Sequence, residues 1–267
     1  MTINKDQINR IVIKVGTNLL TTKDGHFDSQ KINLLTKQII QILKMNKEVM
    51  IVSSGAIGLG KTKMKIKNKI NDIELKQASA AVGQSMLITE WNNVFAQDNI
   101  ITAQALLSRS DITNTTTNKN ARNSLLKLLE LNIVPIINEN DVVSTEEIAN
   151  SIIGDNDNLS ALVSIMVDAD LLIILTDQDG LYDQNPEKNQ NAKLIKKVHE
   201  INKDIKASAE NTTNNYGTGG MKTKIEAAEI ATKGKIHVII ANGNEPDVLN
   251  KIINNGEIGT HFIPKDD

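Results

Sequence analysis

Residues 49–62 read Val49-Met50-Ile51-Val52-Ser53-Ser54-Gly55-Ala56-Ile57-Gly58-Leu59-Gly60-Lys61-Thr62. The four aliphatic residues at the start predict a buried strand, and the three glycines after them predict a loop. Residues 55–62 also match the phosphate-loop pattern, which is a glycine, any four residues and Gly-Lys-Thr. The first question is therefore whether this loop holds nucleotide phosphates or another anion.

The residues after this loop argue against a phosphate loop. Such a loop leads directly into an amphipathic helix, but residues 61–70 alternate lysines with other residues at period two. This alternation predicts a solvated flap or an edge hairpin, in preference to a nucleic-acid patch, and the next helix is expected only at Glu74. We therefore expect the phosphate-loop match to be accidental and Lys61 and Thr62 to lie outside the functional site.

The composition is that of an ordinary globular protein. Lys plus Arg number 30 and Asp plus Glu number 32 in 267 residues, which gives a formal charge of -2. This balance, with an aromatic content of 2%, argues against a nucleic-acid or anionic-membrane partner. The absence of cysteine excludes disulfides, thiolate metal sites and cysteine nucleophiles. No segment has the pattern of a secretion signal or a membrane span, so we expect a cytoplasmic protein.

Strand and helix patterns alternate along the chain. Residues 11–15 and 49–52 are short apolar runs, and the segment between them carries apolar residues at helical spacing. Further strands are predicted at 100–107, 133–137, 171–175 and 236–241, and further helices at 74–96, 120–131, 159–167 and 221–232. The alternation predicts an α/β sandwich with a mostly parallel sheet. The inward face predicted for the helix at 74–96 consists of Leu75, Ala78, Val82, Met86 and Leu87.

Ligands of open parallel sheets bind beyond the carboxyl ends of the strands. Polar or glycine-rich segments occupy such positions at 14–18, 53–60, 138–141, 176–182 and 217–224. The last segment is the strongest candidate for anion binding, because its glycines expose backbone N–H groups and the following helix adds its positive end. Lys222 and Lys224 enter the first turn of this helix, where a cation is unfavourable unless an anion is present. We expect Lys224 to face the ligand.

Three other candidates have alternative interpretations. Lys14 is either a lysine that reaches solvent from an edge strand or a cation held near a phosphate. Asp155 and Asp157 either cap the following helix or order a metal or lysines, and they do not fit a calcium-loop pattern. Thr176-Asp177 resembles the end of a Walker B strand, but it could equally bind ribose or adenine, or start a turn.

Seven motifs together resemble the amino acid kinase family. They lie, in family order, at residues 13–17, 52–57, 81–84, 137–141, 154–161, 175–177 and 217–224. They span almost the whole chain, which makes the resemblance highly specific. The resemblance implies a three-layer αβα sandwich with a central, mostly parallel sheet. It also implies one kinase domain, with an amino-acid-binding lobe over residues 1–165 and a nucleotide-binding lobe over residues 166–267.

Within the family, three motifs are similar to those of members that phosphorylate glutamate. They are Lys14-Val15-Gly16-Thr17, which differs from the Lys-x-Gly-Gly of acetylglutamate kinases, and the segments 154–157 and 217–221. They imply ATP-dependent phosphorylation of the γ-carboxylate of L-glutamate to L-glutamyl 5-phosphate, the first step of proline biosynthesis. The alternatives are another small-molecule kinase of the family, for example one acting on acetylglutamate, and a non-catalytic sensor that binds ATP or proline.

The resemblance also implies roles for individual residues. The implied catalytic residues are Lys14, Lys224 and Asp157, with Asp157 organising the two lysines. The implied ATP-binding residues are Lys14, Thr176, Asp177, Thr218, Gly219, Gly220, Met221, Lys222, Thr223 and Lys224. The implied glutamate-binding residues are Ser54, Gly55, Ala56, Asp141 and Asn156. The implied cofactor Mg2+ is carried on the nucleotide phosphates, without a direct protein ligand.

The resemblance further implies how the protein assembles and is regulated. Many members carry a further C-terminal domain, and this chain ends at Asp267, so we expect a short form. A homo-oligomer, either a dimer or a tetramer, and feedback by proline at the glutamate site are also implied.

Overall fold

The computed structural model describes residues 7–22, 24–68, 70–143, 156–186, 188–210, 220–255 and 258–265. The strands in these residues are β1 (Arg10–Val15), β2 (Glu48–Ser53), β3 (Thr102–Leu107), β4 (Val134–Glu139), β5 (Leu171–Thr176), β6 (Lys197–Val198), β7 (His237–Asn242) and β8 (Thr260–Phe262). They form one sheet in the order β3-β4-β2-β1-β5-β7-β8-β6. The six neighbours from β3 to β7 run parallel, and only the β7–β8 pair is antiparallel among the described strands.

The helices are α1 (Thr17–Leu20), α2 (Ser29–Lys44), α3 (Ala56–Lys63), α4 (Ile73–Ala96), α5 (Arg109–Thr113), α6 (Thr115–Glu130), α7 (Asn156–Met166), α8 (Lys203–Glu210), α9 (Met221–Lys233) and α10 (Val248–Asn255). None of the described helices combines the length and the apolar content that crossing a lipid bilayer requires. The sequence patterns do not predict the short helices α1, α3 and α5.

Helices cover both faces of the sheet, so the strands bury side chains on both sides. On β1, Ile11, Ile13 and Val15 belong to one buried cluster and Val12 belongs to another. Helices α2, α4 and α10 complete the first cluster, and α6, α7 and α9 complete the second. The predicted αβα sandwich with a mostly parallel sheet is therefore confirmed. The central strands β1, β2 and β5 are nearly continuous apolar runs because neither of their faces meets water.

The glycine-rich segment after β2 is a helix, and the loop predicted there is wrong. The chain turns once at Gly55, which has a φ of 107°, and α3 begins at the next residue. Gly58 and Gly60 are helical residues, and Lys61 and Thr62 lie in the last turn of α3. The expected reason for excluding a phosphate loop was that no helix follows it directly, and this reason is wrong. A helix does follow the strand, but it begins so early that no loop remains to wrap around a phosphate.

Two glycines let α3 and α4 cross in direct backbone contact. A Cβ atom at Gly60 would lie 1.8 Å from the carbonyl oxygen of Ser79 on α4. A Cβ atom at Gly83 would lie 1.8 Å from the carbonyl oxygen of Ala56 on α3. The Gly60 that completes the phosphate-loop pattern is thus required by helix packing.

This close crossing also changes which face of α4 is buried. Leu87 is buried as predicted, but Ala78 is exposed and the other three residues of the predicted inward face are only half-buried. The buried residues of α4 are Ser79, Ala80, Gly83, Leu87, Trp91, Val94 and Phe95. Small side chains occupy the contact with α3, so the larger apolar side chains of this part of α4 lie at its margins.

Residues 61–68 do not form the predicted edge hairpin. Helix α3 continues to Lys63, and a turn follows in which Lys65 has a φ of 58°. Lys65, Lys67 and Asn68 are exposed, as the alternation of lysines indicates. The tertiary contact of α3 with α4 outweighs the local period-two pattern.

The substitution Gly60→Ala tests the helix crossing. The added methyl group overlaps the Ser79 carbonyl, so we expect the free energy of unfolding to fall by about 2 kcal/mol or more. Gly58→Ala is the matched control on the same helix, because a Cβ atom there meets only the Thr17 methyl group, at 3.9 Å. The control should gain about 0.5–1 kcal/mol from helix propensity. Urea unfolding measures both variants, and equal stabilities would contradict the crossing.

Candidate active site

Side chains from distant parts of the chain meet at one edge of the sheet. The strands β4, β2, β1, β5 and β7 are parallel neighbours, so their carboxyl ends lie side by side. Helices α7 and α9 begin at the same edge, since their first turns are joined to each other and to the last residues of β1 by ion pairs. Strand ends and helix starts therefore meet at the edge of the sheet where the site is predicted.

Lys14, Asp157 and Lys224 form a buried ion triplet, which is called the Lys–Asp–Lys triplet below. Lys14 Nζ lies 2.7 Å from Asp157 Oδ1, and Lys224 Nζ lies 3.0 Å from Asp157 Oδ2. The Asp157 side chain is completely buried, and the two lysine side chains are 5% and 7% exposed. One carboxylate therefore bridges two ammonium groups. Asp157 lies in the first turn of α7 and is engaged by the two lysines, as the second interpretation predicts, and Asp155 lies outside the described residues.

Strand alternation explains why Lys14 reaches this triplet. Val12 packs in the buried cluster that contains α7 and α9, and Lys14, two residues later, points to the same face of the sheet. Strand β1 lies between β2 and β5, so Lys14 does not reach solvent from an edge strand.

The triplet brings two ammonium groups and one carboxylate together in a place that solvent hardly reaches. Burying an ammonium group without an opposite charge is costly, and Asp157 supplies one carboxylate oxygen to each lysine. Two lysines held this close together are suited to an anionic group beside them.

Helix α9 directs its positive end at the triplet. Gly220 precedes the helix without a capping side chain, and no acidic residue lies in the first turn. Thr223 Oγ1 lies 2.9 Å from Asp157 Oδ2, which ties this turn to α7. Lys222 is exposed whereas Lys224 is buried. The anion that offsets the unfavourable Lys224 in this turn is thus Asp157 of the protein itself.

Helix α3 also begins without a capping side chain or an acidic residue in its first turn. Its start, at Gly55 and Ala56, presents backbone N–H groups that helix geometry leaves without an intrahelical partner. The N–H group of Ser54 is different, because it donates to the Val15 carbonyl oxygen at 3.2 Å. This helix start therefore offers the Gly55 and Ala56 N–H groups and the Ser54 side chain as possible donors to an anion.

Three amide side chains and Ser54 are connected by hydrogen bonds; this set is called the amide chain below. Asn138 Nδ2 donates to Gln84 Oε1 at 2.7 Å. Asn156 Nδ2 donates to Asn138 Oδ1 and to Ser54 Oγ, at 3.0 Å each. Sequence reasoning did not single out Asn138 or Gln84 as site residues. The available signal was a polar residue, Asn138, at the end of an otherwise apolar strand.

Asp141 has an unusual carboxyl group. Burial raises its pKa to about 7, and the neighbouring Glu139 carboxylate adds to the increase. Near neutral pH the group is therefore close to half-protonated in the ligand-free protein. A ligand ammonium group beside it would favour the ionised form.

The end of β5 carries a second polar group of residues. Asn18 Nδ2 donates to Asp177 Oδ2 at 3.0 Å, and Thr176 Oγ1 donates to Asp177 Oδ1 at 3.2 Å. Thr176 is 8% exposed and Asp177 is exposed, so the carboxylate is oriented at the surface. Asn18 is a further residue that sequence reasoning missed. Of the predicted ATP-binding residues, Thr218 and Gly219 lie outside the described residues.

Comparisons with known proteins identify the family of this chain. The model of the amino acid kinase family matches residues 9–242. A glutamate 5-kinase of Clostridium perfringens (strain 13 / Type A) is 46% identical over 257 residues, which cover 96% of this chain and 96% of that protein. A glutamate 5-kinase of Dehalococcoides mccartyi (strain CBDB1) is 44% identical over 262 residues, which cover 98% of this chain and 70% of that protein.

Solved structures show the same fold at low identity. A carbamate kinase from Giardia lamblia bound to AMP-PNP has a TM-score of 0.67 at 19% identity, and the match covers 97% of this chain and 99% of that chain. A UMP kinase from Ureaplasma parvum has a TM-score of 0.63 at 18% identity, with 96% and 99% covered. The chain therefore belongs to the amino acid kinase family and, within it, groups with the glutamate 5-kinases.

Proposed function

We propose that this protein transfers the γ-phosphoryl group of ATP to the γ-carboxylate of L-glutamate. The product is L-glutamyl 5-phosphate, the first intermediate of proline biosynthesis. The observation that carries the proposal is the buried Lys–Asp–Lys triplet, in which two ammonium groups are held together where the uncapped helix α9 begins. The glutamate 5-kinases among the relatives support the choice of substrate.

The acceptor needs no base from the protein. A glutamate γ-carboxylate has a pKa of about 4.3, so it is already ionised at neutral pH. As its oxygen bonds to phosphorus, the bond to the ADP oxygen breaks and ADP leaves with the electron pair. The protein must then align the reactants and compensate for charge on the phosphoryl oxygens. Lys14 and Lys224 supply this charge, and Asp157 holds both ammonium groups in place.

The amino acid is proposed to bind between α3 and α7. Its α-carboxylate is received by the N–H groups of Gly55 and Ala56 and by the Ser54 hydroxyl, where the positive end of α3 adds to the attraction. Asp141 is proposed to bind the ammonium group, and Asn156 contacts the same substrate. The amino acid then lies in the part of the chain before residue 166.

The nucleotide is proposed to bind in the part after residue 166. The helix start at Gly220, Met221 and Thr223 cradles phosphates together with Thr218 and Gly219, and Lys222 contributes a charge at the surface. Thr176 and Asp177 are proposed to contact the nucleoside, for which the oriented Asp177 carboxylate offers acceptors.

Magnesium enters this proposal as part of the MgATP substrate. Within the described residues, no group of three His, Asp or Glu side chains is placed to hold a metal ion. The Asp157 carboxylate is engaged by two lysines and Asp177 by two hydrogen-bond donors. We therefore propose that the phosphates carry the ion and that it reduces their charge there.

An assay of the purified protein with ATP, magnesium, glutamate and hydroxylamine tests the proposed function. An acyl phosphate reacts with hydroxylamine, so we expect a hydroxamate to form with L-glutamate. Activity with acetylglutamate but not with glutamate would transfer the proposal to another kinase of the family. Binding of ATP or proline without any turnover would favour a sensor.

Regulation and assembly complete the proposal. Proline carries an α-carboxylate and an ammonium group, so we propose that it competes with glutamate at the same site. Inhibition that glutamate does not relieve would contradict this. We also propose a dimer or tetramer in the cytoplasm, and light scattering measures the mass of the assembly.

Lys14→Ala and Lys224→Ala test the role of the triplet. Each variant removes one charged donor from the transferring group, so kcat should fall by on the order of 10²–10³. Initial rates at saturating glutamate and MgATP measure the loss. Lys61→Ala is the matched control, because Lys61 lies about 8 Å along α3 from its start and should keep wild-type turnover. Unchanged turnover of either triplet variant would remove that lysine from the mechanism, and collapse of the control would restore the phosphate-loop interpretation.

The raised pKa of Asp141 predicts a pH dependence. The protonated carboxyl does not attract the substrate ammonium group, so kcat/KM for glutamate should fall as the pH drops below about 7. In the substrate complex the ammonium favours the ionised form, so kcat should stay level to lower pH. Asp141→Ala should raise the KM for glutamate far more than the KM for ATP.

Asp141→Asn should give a low kcat/KM without a break near pH 7. A break that persists in this variant would assign the titration to another group. A larger effect of either Asp141 substitution on ATP than on glutamate would place the residue in the nucleotide site.

A further inference from the structure

We propose that Gln84 is a positioning residue that sets which end of the Asn156 amide faces the substrate. This inference rests on the proposed function, because it concerns how the same site recognises the α-amino group of glutamate. Gln84 belongs to α4, which covers the opposite face of the sheet from α7. It acts through Asn138 at the end of β4.

A backbone N–H group and Gln84 together fix the direction of the hydrogen bonds in the amide chain. The N–H group of Glu139 can only donate, and it lies 2.9 Å from Asn138 Oδ1. The amide oxygen of Asn138 must therefore remain on this side, and its nitrogen is directed at Gln84 Oε1, 2.7 Å away. Asn138 is only 2% exposed, so solvent does not replace this acceptor. Gln84 and the Glu139 N–H group therefore hold Asn138 in the same orientation, and without the Gln84 acceptor this orientation would bury an unpaired Asn138 N–H group.

The orientation of Asn138 determines that of Asn156. An amide nitrogen has two hydrogens, and those of Asn156 Nδ2 are used by Asn138 Oδ1 and Ser54 Oγ. Asn156 Oδ1 therefore points away from both. This oxygen is buried and has no hydrogen-bond partner among the described residues. A buried acceptor without a partner is costly, so it marks the place of a donor on a ligand.

Ser54 provides the site with a hydrogen-bond donor, in addition to the acceptor of Asn156. Because Ser54 Oγ accepts from Asn156, its own hydrogen is left to donate, and it lies beside the uncapped start of α3. The site thus offers donors to a carboxylate and, at Asn156 Oδ1, an acceptor to an ammonium group. This pattern matches a free α-amino acid. A reversed Asn156 amide would turn its N–H groups toward the ammonium.

Gln84→Met removes the acceptor and keeps the length of the side chain. We expect the KM for glutamate to rise on the order of tenfold, while kcat and the KM for ATP stay near wild type. Glutarate has both carboxylates of glutamate but no ammonium, so its inhibition constant against glutamate should not change. A merely structural disturbance would weaken glutamate and glutarate alike. Gln84→Lys places a donor against the Asn138 N–H group. It should therefore raise the KM for glutamate in the same way as Gln84→Met, again without changing inhibition by glutarate.

Two variants serve as controls. Gln84→Glu keeps an acceptor and should restore a KM near wild type, and Gln77→Met makes the same substitution two turns earlier on α4, outside the amide chain. An unchanged KM in Gln84→Met and Gln84→Lys would overturn the inference, as would a parallel loss of glutarate binding or a Gln84→Glu variant as impaired as Gln84→Met. If the wild-type protein does not phosphorylate glutamate, the proposed function fails instead.

Discussion

The Asp157 carboxylate joins two lysines that the chain supplies from its first strand and from a helix near its end. Burying either ammonium group without an opposite charge would be costly, because desolvation alone costs roughly several kcal/mol for each ion. The sheet order follows the same requirement: β1 lies at the centre, with Lys14 on the face that α7 and α9 cover. In the proposed function, two ammonium groups held by one carboxylate are what suit the place to a phosphoryl group in transfer.

We propose that the opposite face of the sheet contributes to recognition of the amino acid. Helix α4 is held against α3 through Gly60 and Gly83, and it carries Gln84 to the end of β4. The same contact fixes the helix start at Gly55, where the α-carboxylate is proposed to bind. One packing interaction would thus position both the proposed donors for the α-carboxylate and the support for Asn156. In the proposed function, phosphoryl transfer depends on one layer of helices, and recognition of the amino acid depends on both.

The sheet could be predicted from sequence because apolar runs and the turns between them are local signals. The carboxyl-end loops followed from the parallel arrangement, but the contacts of the triplet could not, since Asp157 and Lys224 are 67 residues apart and only the family resemblance linked them. Helix α3 was missed because its glycines disfavour a helix locally. Gly60 is needed for the close contact with α4, which the local sequence does not reveal. Asn138 was missed for a similar reason, because its partners come from two other elements.

The most direct test of the account is the turnover of Asp157→Asn with saturating glutamate and MgATP. Asparagine keeps the volume of the side chain but removes the charge that holds Lys14 and Lys224. The account predicts that kcat falls by on the order of 10²–10³ in protein that circular dichroism shows to be folded. A folded Asp157→Asn variant with a kcat close to that of the wild type would contradict it.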